Sequence, residues 1–424
     1  MSATLPIEAE FRAEANAFLA AHCKPRESES ARKWGEGSDK VSVFEEKSKE
    51  AEARDVANAK AWRGEMFKAG FAWITGPTQY GGRGLPGTYQ RMYDEEASNF
   101  STPNLGMFQI GLGMVAPTIL AHASDTAKAT YLEKMWSGDI VGCQLFSEPG
   151  AGSDVAGLAT KAIKDGEEWI VNGQKVWTTL AHLSRWGMLV ARSDANAEKH
   201  KGLTYFVVDM HAPTVEVRPL RQMTGDAEFN EVYFTDTRIP DAERLGEVGD
   251  GWRVSLTTLM NERVSIGGAI APRGSGPIGI ALKAYKDHGH TDPATRDRLM
   301  QLWVRAEAAR LTNLRASANR KAGTPGPEGS TGKLNSAELN KDIYDFCINL
   351  IGANGMLYAD YTMRRPETAM AGSTVQEQFL RSRANSIEGG TSEVMRNILG
   401  ERVLGLPGDV RVDKGKSWLE VPRN

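Results

Sequence analysis

The nine residues Phe146-Ser147-Glu148-Pro149-Gly150-Ala151-Gly152-Ser153-Asp154 bring two hydroxyls, two carboxylates and three consecutive small residues together, directly after the apolar run Ile140 to Leu145. Gly150, Ala151 and Gly152 let backbone N–H groups approach a ligand closely, and Ser147 and Ser153 add hydroxyl donors. Such a loop can hold a polar planar ring or a phosphate. The same residues also suit an ordinary turn, with Pro149 fixing the backbone and Ser153 or Asp154 capping the next element. Two more groups carry chemistry: Trp177-Thr178-Thr179, an aromatic beside two hydroxyls, and Glu388-Gly389-Gly390-Thr391-Ser392-Glu393. A further carboxylate, Glu262 in Met260-Asn261-Glu262-Arg263, interrupts a segment bearing Val254, Leu256, Leu259 and Val264. On composition alone that residue reads as solvent-facing and ion-paired to a neighbour.

Around these groups, 424 residues suffice for two or three domains with a large core. The 51 basic and 54 acidic residues are mixed along the chain, with a formal net charge of -3 and a pI near 6.2, which is no footprint for nucleic acid. Met1 to Phe11 has no basic start followed by an apolar run, and no stretch reaches the ~20 apolar residues of a membrane span. A cytoplasmic protein is expected. Cys23, Cys143 and Cys347 are far apart and odd in number, which argues against disulfides. Cys143 and Cys347 sit in apolar runs, as core residues would. His288 and His290 lack metal-type partners nearby, so a solvated loop and no metal are expected.

The periodicity divides the chain. Ile7, Phe11, Ala15, Phe18 and Leu19 give a first helix. Arg26 to Arg54 reads as a solvated loop leading into an exposed helix, and helical patterns run from Tyr89 to Phe100 and from Ala116 to Leu132. From Gly142, Asp165-Gly166 and Asn172-Gly173 read as hairpin turns. Strand composition covers Trp169 to Val171, Gln174 to Thr178, Met188 to Ala191, Thr204 to Val208 and Val215 to Val217, with Asn230 to Phe234 a further candidate. After Gly249-Asp250-Gly251 long helices return: Trp252 to Ile266, Ile278 to Asp287, Ala294 to Lys321, Ser336 to Ile351 and Glu377 to Asn385. Met300, Val304, Ala308 and Leu311 form an apolar stripe of the kind that faces a bundle. The tail beyond Pro407 reads as extended.

The loop at Phe146 to Asp154, with Trp177-Thr178-Thr179 and Glu388 to Glu393 in this order and spacing, resembles the flavin-binding signature of the acyl-CoA dehydrogenase family, from Phe11 to about Pro407. The resemblance implies a mainly α fold with a central β-domain. Its parts are an N-terminal helical domain (1–140), a β-barrel-like middle domain (141–245), a C-terminal four-helix bundle (246–405) and a tail (406–424). It implies FAD, with the backbone at Leu145 and Phe146 and the Ser147 hydroxyl on the ring edge, Trp177 against the ring and Thr179 near N5. The Gly152 and Ser153 segment belongs to the same cofactor loop. The family more often has Thr at the place of Ser147. For pyrophosphate and ribose the matching residues are Asn349, Gly352, Ala353 and Asn354 in the bundle, and Thr391 and Glu393. Gly352 to Gly355 also reads as a helix C-cap and Thr391 as an N-cap.

The implied reaction, part of lipid metabolism and fatty acid β-oxidation, is α,β-dehydrogenation of an acyl-CoA to its trans-2-enoyl thioester. A carboxylate takes the α-proton and the β-hydrogen leaves as hydride. Most branches of the family place that base immediately before the Gly-Thr-Ser of the last motif, where this chain has Gly389. The long-chain and isovaleryl branches place it on a bundle helix before an arginine, which here makes Glu262 the base, with Glu388 the rival. Ser153, Arg263 and Gly389 are expected near the substrate. Members usually carry an Arg, two residues, then Phe-Gly after the second bundle helix, and this chain has Lys286-Asp287-His288-Gly289-His290. The electron acceptor implied is an electron-transfer flavoprotein, and the assembly a homodimer or homotetramer, with a hetero-oligomer open. A flavin oxidase or monooxygenase, and a non-catalytic or half-site subunit, are the alternatives.

Overall fold

Phe11, Ala15 and Leu19 recur every fourth residue and are completely buried, which gives α1 (Glu8–His22) its packing face. That face meets Trp62 and Met66 of α2 (Lys49–Lys68) and Tyr89, Met92 and Tyr93 of α3 (Gly87–Ala97). The computed structural model describes residues 5–26, 49–267, 272–288, 291–322, 326–358 and 374–422. Most of the expected loop from Arg26 to Arg54 lies outside them. A short antiparallel pair, β1 (Lys24–Pro25) with β2 (Phe100–Ser101), closes the first helices. The helix expected from Ala116 to Leu132 is two helices, α4 (Ala116–His122) and α5 (Asp125–Trp136). The break falls at Ser124, whose hydroxyl accepts from the Ala127 N–H and caps α5.

Eight strands form the central sheet: β3 (Gly142–Leu145), β4 (Lys161–Asp165), β5 (Glu168–Thr179), β6 (Trp186–Arg192), β7 (Leu203–Asp209), β8 (Val215–Leu220), β9 (Phe229–Pro240) and β10 (Arg244–Leu245). The order is β10-β7-β6-β4-β5-β9-β8, with β3 parallel to β6. Asp165-Gly166 is the expected hairpin turn between β4 and β5. Asn172-Gly173 is not a turn: it lies inside β5, at a register shift between Val171 and Gly173 opposite β9. A side chain at Gly173 would collide with Thr160, whose Oγ1 is 2.4 Å from the ideal Cβ position, so the glycine serves a close approach within the sheet.

A buried ion pair joins this sheet to the loop after β3. Lys175 of β5 is fully buried and donates to the Glu148 carboxylate at 2.8 Å and to the Phe146 carbonyl at 3.0 Å. Glu148 also accepts from the backbone N–H groups of Ala159 at 2.7 Å and Thr160 at 2.9 Å. Burial alone would raise the Glu148 carboxyl, but Lys175 and these hydrogen bonds outweigh it and hold it below the usual carboxylate range. Burial lowers the Lys175 ammonium despite Glu148.

The C-terminal helices are α6 (Gly251–Gly267), α7 (Pro277–Asp287), α8 (Pro293–Lys321), α9 (Glu328–Ile351), α10 (Val375–Asn385) and α11 (Ser392–Ile398). Their core joins Ile278 and Ala281 of α7, Leu299 and Leu302 of α8, and Leu339, Ile343 and Cys347 of α9. The inward face of α8 is therefore not the expected stripe: Met300, Val304 and Leu311 are exposed, because the face through Leu299 and Leu302 meets α9 and turns them outward. Cys143 and Cys347 are buried as expected. His290 lies outside the described residues. The tail is not extended throughout: Trp418–Glu420 forms a 3₁₀ turn and Trp418 is buried against the middle domain. Its indole covers the guanidinium of the buried Arg192, a cation–π contact that holds this part of the tail on the middle domain. Among the described residues, no helix is long and apolar enough to cross a membrane, and no group of three or more His, Cys, Asp or Glu could hold a metal.

Substituting Lys175→Met leaves Glu148 charged and buried, and is expected to destabilise the protein by about 3–5 kcal/mol. A urea titration checks this, and the double variant Lys175→Met/Glu148→Gln should recover part of the loss.

Candidate active site

Three buried hydroxyls fix the helix that carries Glu262. Thr258 of α6 bonds Thr118 of α4 at 2.9 Å and Tyr205 of β7 at 3.0 Å, joining the first helices, the sheet and the bundle at one point. His122 of α4 also meets Thr257 at 2.8 Å. Glu262 follows Thr258 by four residues, one helical turn on the same face. Its Oε2 accepts from Gln144 Nε2 of β3 at 3.4 Å. Cys143 and Leu145 point into one core and Phe146 into the other, where Val254 and Leu259 of α6 pack. The pleat therefore places Gln144 on the side of β3 that faces α6.

The loop between α10 and α11 closes the third side. Gly389 and Gly390 have φ of +60° and +92°, the left-handed region that favours glycine. An ideal Cβ on Gly389 would stand 3.8 Å from Glu262 Oε1. A carboxylate on α6 and one at position 389 would thus reach the same space. Glu388 is held elsewhere: Arg381 of α10 grips both its oxygens, at 2.7 Å and 3.2 Å, and Asn385 donates at 2.9 Å.

Beside β3, the Val176 N–H donates to the Ser147 carbonyl at 2.9 Å, so Ser147 lies next to Trp177. Leu145 and Phe146 are buried and present backbone only. A second register shift in β5, between Lys175 and Thr178, puts Trp177 at φ +61°, an outlier for a bulky residue. The bulge turns its ring outward, 55% exposed, against the edge of Phe229 at 5.8 Å. Thr179, partly exposed, pairs with Phe229 across β5 and β9. In the loop, Glu148 and Ala151 exchange backbone hydrogen bonds around Pro149-Gly150, so the ordinary turn exists within the ligand-type loop. Gly152 and Ser153 are exposed.

Thr391 caps α11 by accepting from the Val394 N–H at 3.1 Å, and Glu393 is exposed and paired with Arg396. Asn349, Gly352 and Ala353 are exposed at the end of α9, where Gly352 has φ +59°. The two groups do not come together within one chain. Ser392 meets α9 at Glu338, and Asn349 lies about 16 Å further along that helix at 1.5 Å per residue. The Arg263 side chain lies outside the described residues.

The chain matches models of the acyl-CoA dehydrogenase N-terminal domain over residues 6–139, middle domain over 143–237 and C-terminal domain over 249–404. It belongs to the acyl-CoA dehydrogenase family. Acyl-CoA dehydrogenase IpdE1 of Mycobacterium tuberculosis (strain ATCC 25618 / H37Rv) is 35% identical over 353 residues, 83% of this chain and 89% of that protein. Among solved structures, the ChsE4-ChsE5 complex from Mycobacterium tuberculosis superposes with a TM-score of 0.66 at 25% identity, covering 96% of this chain and all of that one. The Tcur3481-Tcur3483 steroid ACAD has a TM-score of 0.69 at 23% identity, covering 96% of this chain and 100% of that one, a likeness of fold. The chain is therefore an oxidoreductase acting on CH–CH groups of acyl-CoA thioesters, with FAD as its cofactor. The residues suit that cofactor: an outward aromatic wall at Trp177 stands beside the hydroxyl-bearing Ser147 and Thr179.

Several residues of this site were not singled out from sequence: Gln144, Lys175, Phe229, Arg381 and Glu228. Gln144 and Lys175 had a signal, Gln144 as the lone strongly polar residue in the Ile140 to Leu145 run and Lys175 as the only charge in the Gln174 to Thr178 strand; Arg381 had none. Glu228, next to Phe229, is buried with its carboxyl pushed up to about 7, first by burial and then by Asp226, against the pull of Arg381 and Gln222. A folded-state value above the unfolded one means that Glu228's contribution to stability is fully present below pH 4.5 and is lost as pH rises through about 7. Glu228→Gln should flatten the stability profile across that window, read as a smaller difference between urea midpoints at pH 5 and pH 8.

Proposed function

We propose that this chain dehydrogenates an acyl-CoA at Cα–Cβ to the trans-2-enoyl thioester, with Glu262 as the base. The observation that carries this reading is the space shared by Glu262 Oε1 and the position beyond Gly389: the glycine leaves room there for a carboxylate from α6. Bidentate pairing with Arg381 keeps Glu388 out of the role. Gln144 orients the carboxylate through Oε2, so that Oε1 on the Gly389 side is the oxygen directed at the substrate's α-proton. FAD, when bound, supplies the acceptor for the β-hydrogen and its electron pair. The backbone at Leu145 and Phe146 with Ser147 and Thr179 would hold the ring edge, and Trp177 would cover one face. Gly152 and Ser153 belong to the same cofactor grip, with Ser153, Arg263 and Gly389 towards the acyl-CoA. Thr391 and Glu393, with Asn349, Gly352 and Ala353, would take the phosphates and ribose. Their separation along α9 supports a site shared between two chains, in a homodimer or homotetramer.

The division into 1–140, 141–245, 246–405 and a tail follows the change from helices to sheet and back. An electron-transfer flavoprotein is the acceptor we assign, and the free cysteines suit the reducing cytoplasm. A second reading, a half-site subunit of a hetero-oligomer, draws on Lys286-Asp287-His288 at the end of α7, where members of the family usually carry an Arg and Phe-Gly.

The test is the visible spectrum of the purified protein, then anaerobic titration with octanoyl-, palmitoyl-, isovaleryl- and steroid-side-chain-CoA. A yellow protein bleached by one of these is expected. Glu262→Gln should keep its flavin and bleach at least ~100-fold more slowly, whereas Glu388→Gln should still bleach. Equal bleaching by Glu262→Gln moves the base elsewhere, fast reoxidation in air points to an oxidase, and a colourless protein points to the half-site reading.

A further inference from the structure

The loop from Ser147 to Leu158 is held at both ends. Its first half hangs from the Glu148–Lys175 pair. Its second half is held by residues beyond 404, outside the stretch matched by the family's C-terminal domain. Arg192, nearly buried, donates to the carbonyls of Ala156 at 2.6 Å, Leu158 at 3.1 Å and Lys199 at 3.1 Å. The Trp418 ring covers that guanidinium, 4.4 Å from Cζ to the ring centroid, and its Nε1–H donates to the Gly157 carbonyl at 3.2 Å. Lys199 Nζ lies 2.6 Å from Asp154 and 3.8 Å from Asp413, tying loop and tail through one cation.

The tail is itself locked in place. Trp418 and Leu419 donate backbone N–H groups to the carbonyls of Ala197 and Ala195, at 2.9 Å and 3.3 Å, and Ser417 bridges Glu198. Ser417 and Glu420 form a reciprocal capping box around the turn. The chain from 404 to 412 that leads there is exposed, so the contact at Asp413 to Glu420 is a local grip on the middle domain and not the end of a packed helix. A hydrogen-bonded, cation-stacked indole on the backbone of a ligand loop restricts that loop to fewer conformations before ligand arrives.

We propose that the segment from Asp413 to Glu420 is a clamp that sets the position of the Ser153–Leu158 half of the cofactor loop, with Trp418 as its positioning residue, and so sets affinity for FAD. This rests on the reading of the Ser147–Ser153 loop as a grip on FAD. Trp418 acts on the loop through Arg192 and Gly157.

The experiment measures FAD dissociation from full-chain holoenzyme on dilution, by recovery of flavin fluorescence, with hydrogen exchange of the loop amides. Wild type, Trp418→Ala, Trp418→Phe and Ser147→Ala are compared, with a chain ending after Val410 as a second probe of the clamp. Trp418→Ala and the shortened chain should each raise the FAD Kd about tenfold and speed exchange within 152–158, with other regions unchanged. Trp418→Phe, which keeps a ring over Arg192, should recover most of the affinity. A lower Tm with unchanged FAD Kd in both clamp variants overturns the proposal and leaves the tail a merely structural element. If Ser147→Ala weakens FAD while Trp418→Ala does not, the clamp fails alone. If neither does, the reading of the loop fails and the clamp with it.

Discussion

Lys175 and Glu148 form an ion pair with almost no access to water, and the rest of the site is arranged around it. Desolvating both charges is costly, and here the cost is offset because every oxygen of Glu148 has a donor: Lys175 and the amides of Ala159 and Thr160. One carboxylate thereby ties together β5, the end of β3 and the far side of the loop. The geometry of Ser147 beside Trp177 depends on that tie. Glu148 is one of two acids in that loop, and its oxygens are consumed by the protein itself.

A second joint carries Glu262. The Thr118–Thr258–Tyr205 hydroxyl cluster buries hydrogen-bonding groups from three regions in mutual contact, and leaving any of them without a partner would cost about 1–3 kcal/mol. It restrains the turn of α6 just before Glu262. Gln144 then reaches the carboxylate from the sheet, and Gly389 faces it from the loop after α10. Glu262, strand and loop come from regions far apart in the chain, and their register depends on these polar contacts as well as on apolar packing, which is less directional.

Left-handed backbone occurs at the candidate site, as it also does at Leu180 and Asp236. Trp177 at φ +61° and the glycines at 389 and 390 occupy conformations that most residues avoid. In β5 the strain comes with a bulge that ends regular pairing with β9 and turns an indole outward. At 389 and 390 the left-handed backbone, which glycine adopts freely, lets the chain reverse between two helices without a side chain entering the space that Glu262 occupies.

Much of this was legible in the chain itself. The order of helices, strands and helices follows from periodicity, the buried cysteines from their apolar neighbours, and the candidate motifs from residue type and spacing, because all of these are local properties. Where local signals misled, a distant segment had intervened. Asn172-Gly173 has turn chemistry, but Thr160 packing against its bare Cα made it a bulge inside a strand. Met300, Val304 and Leu311 have helical spacing, but α9 met the neighbouring face of α8. The tail lacks periodicity, yet Trp418 found Arg192, more than two hundred positions earlier. Which glutamate an arginine grips through both oxygens could not be read from the motif, because Arg381 is recognisable as Glu388's partner only once α10 has folded beside it. Residue type and spacing determined what chemistry was available; the contacts between distant segments decided where each charge and ring points, since burial and hydrogen bonding act through space and not along the chain.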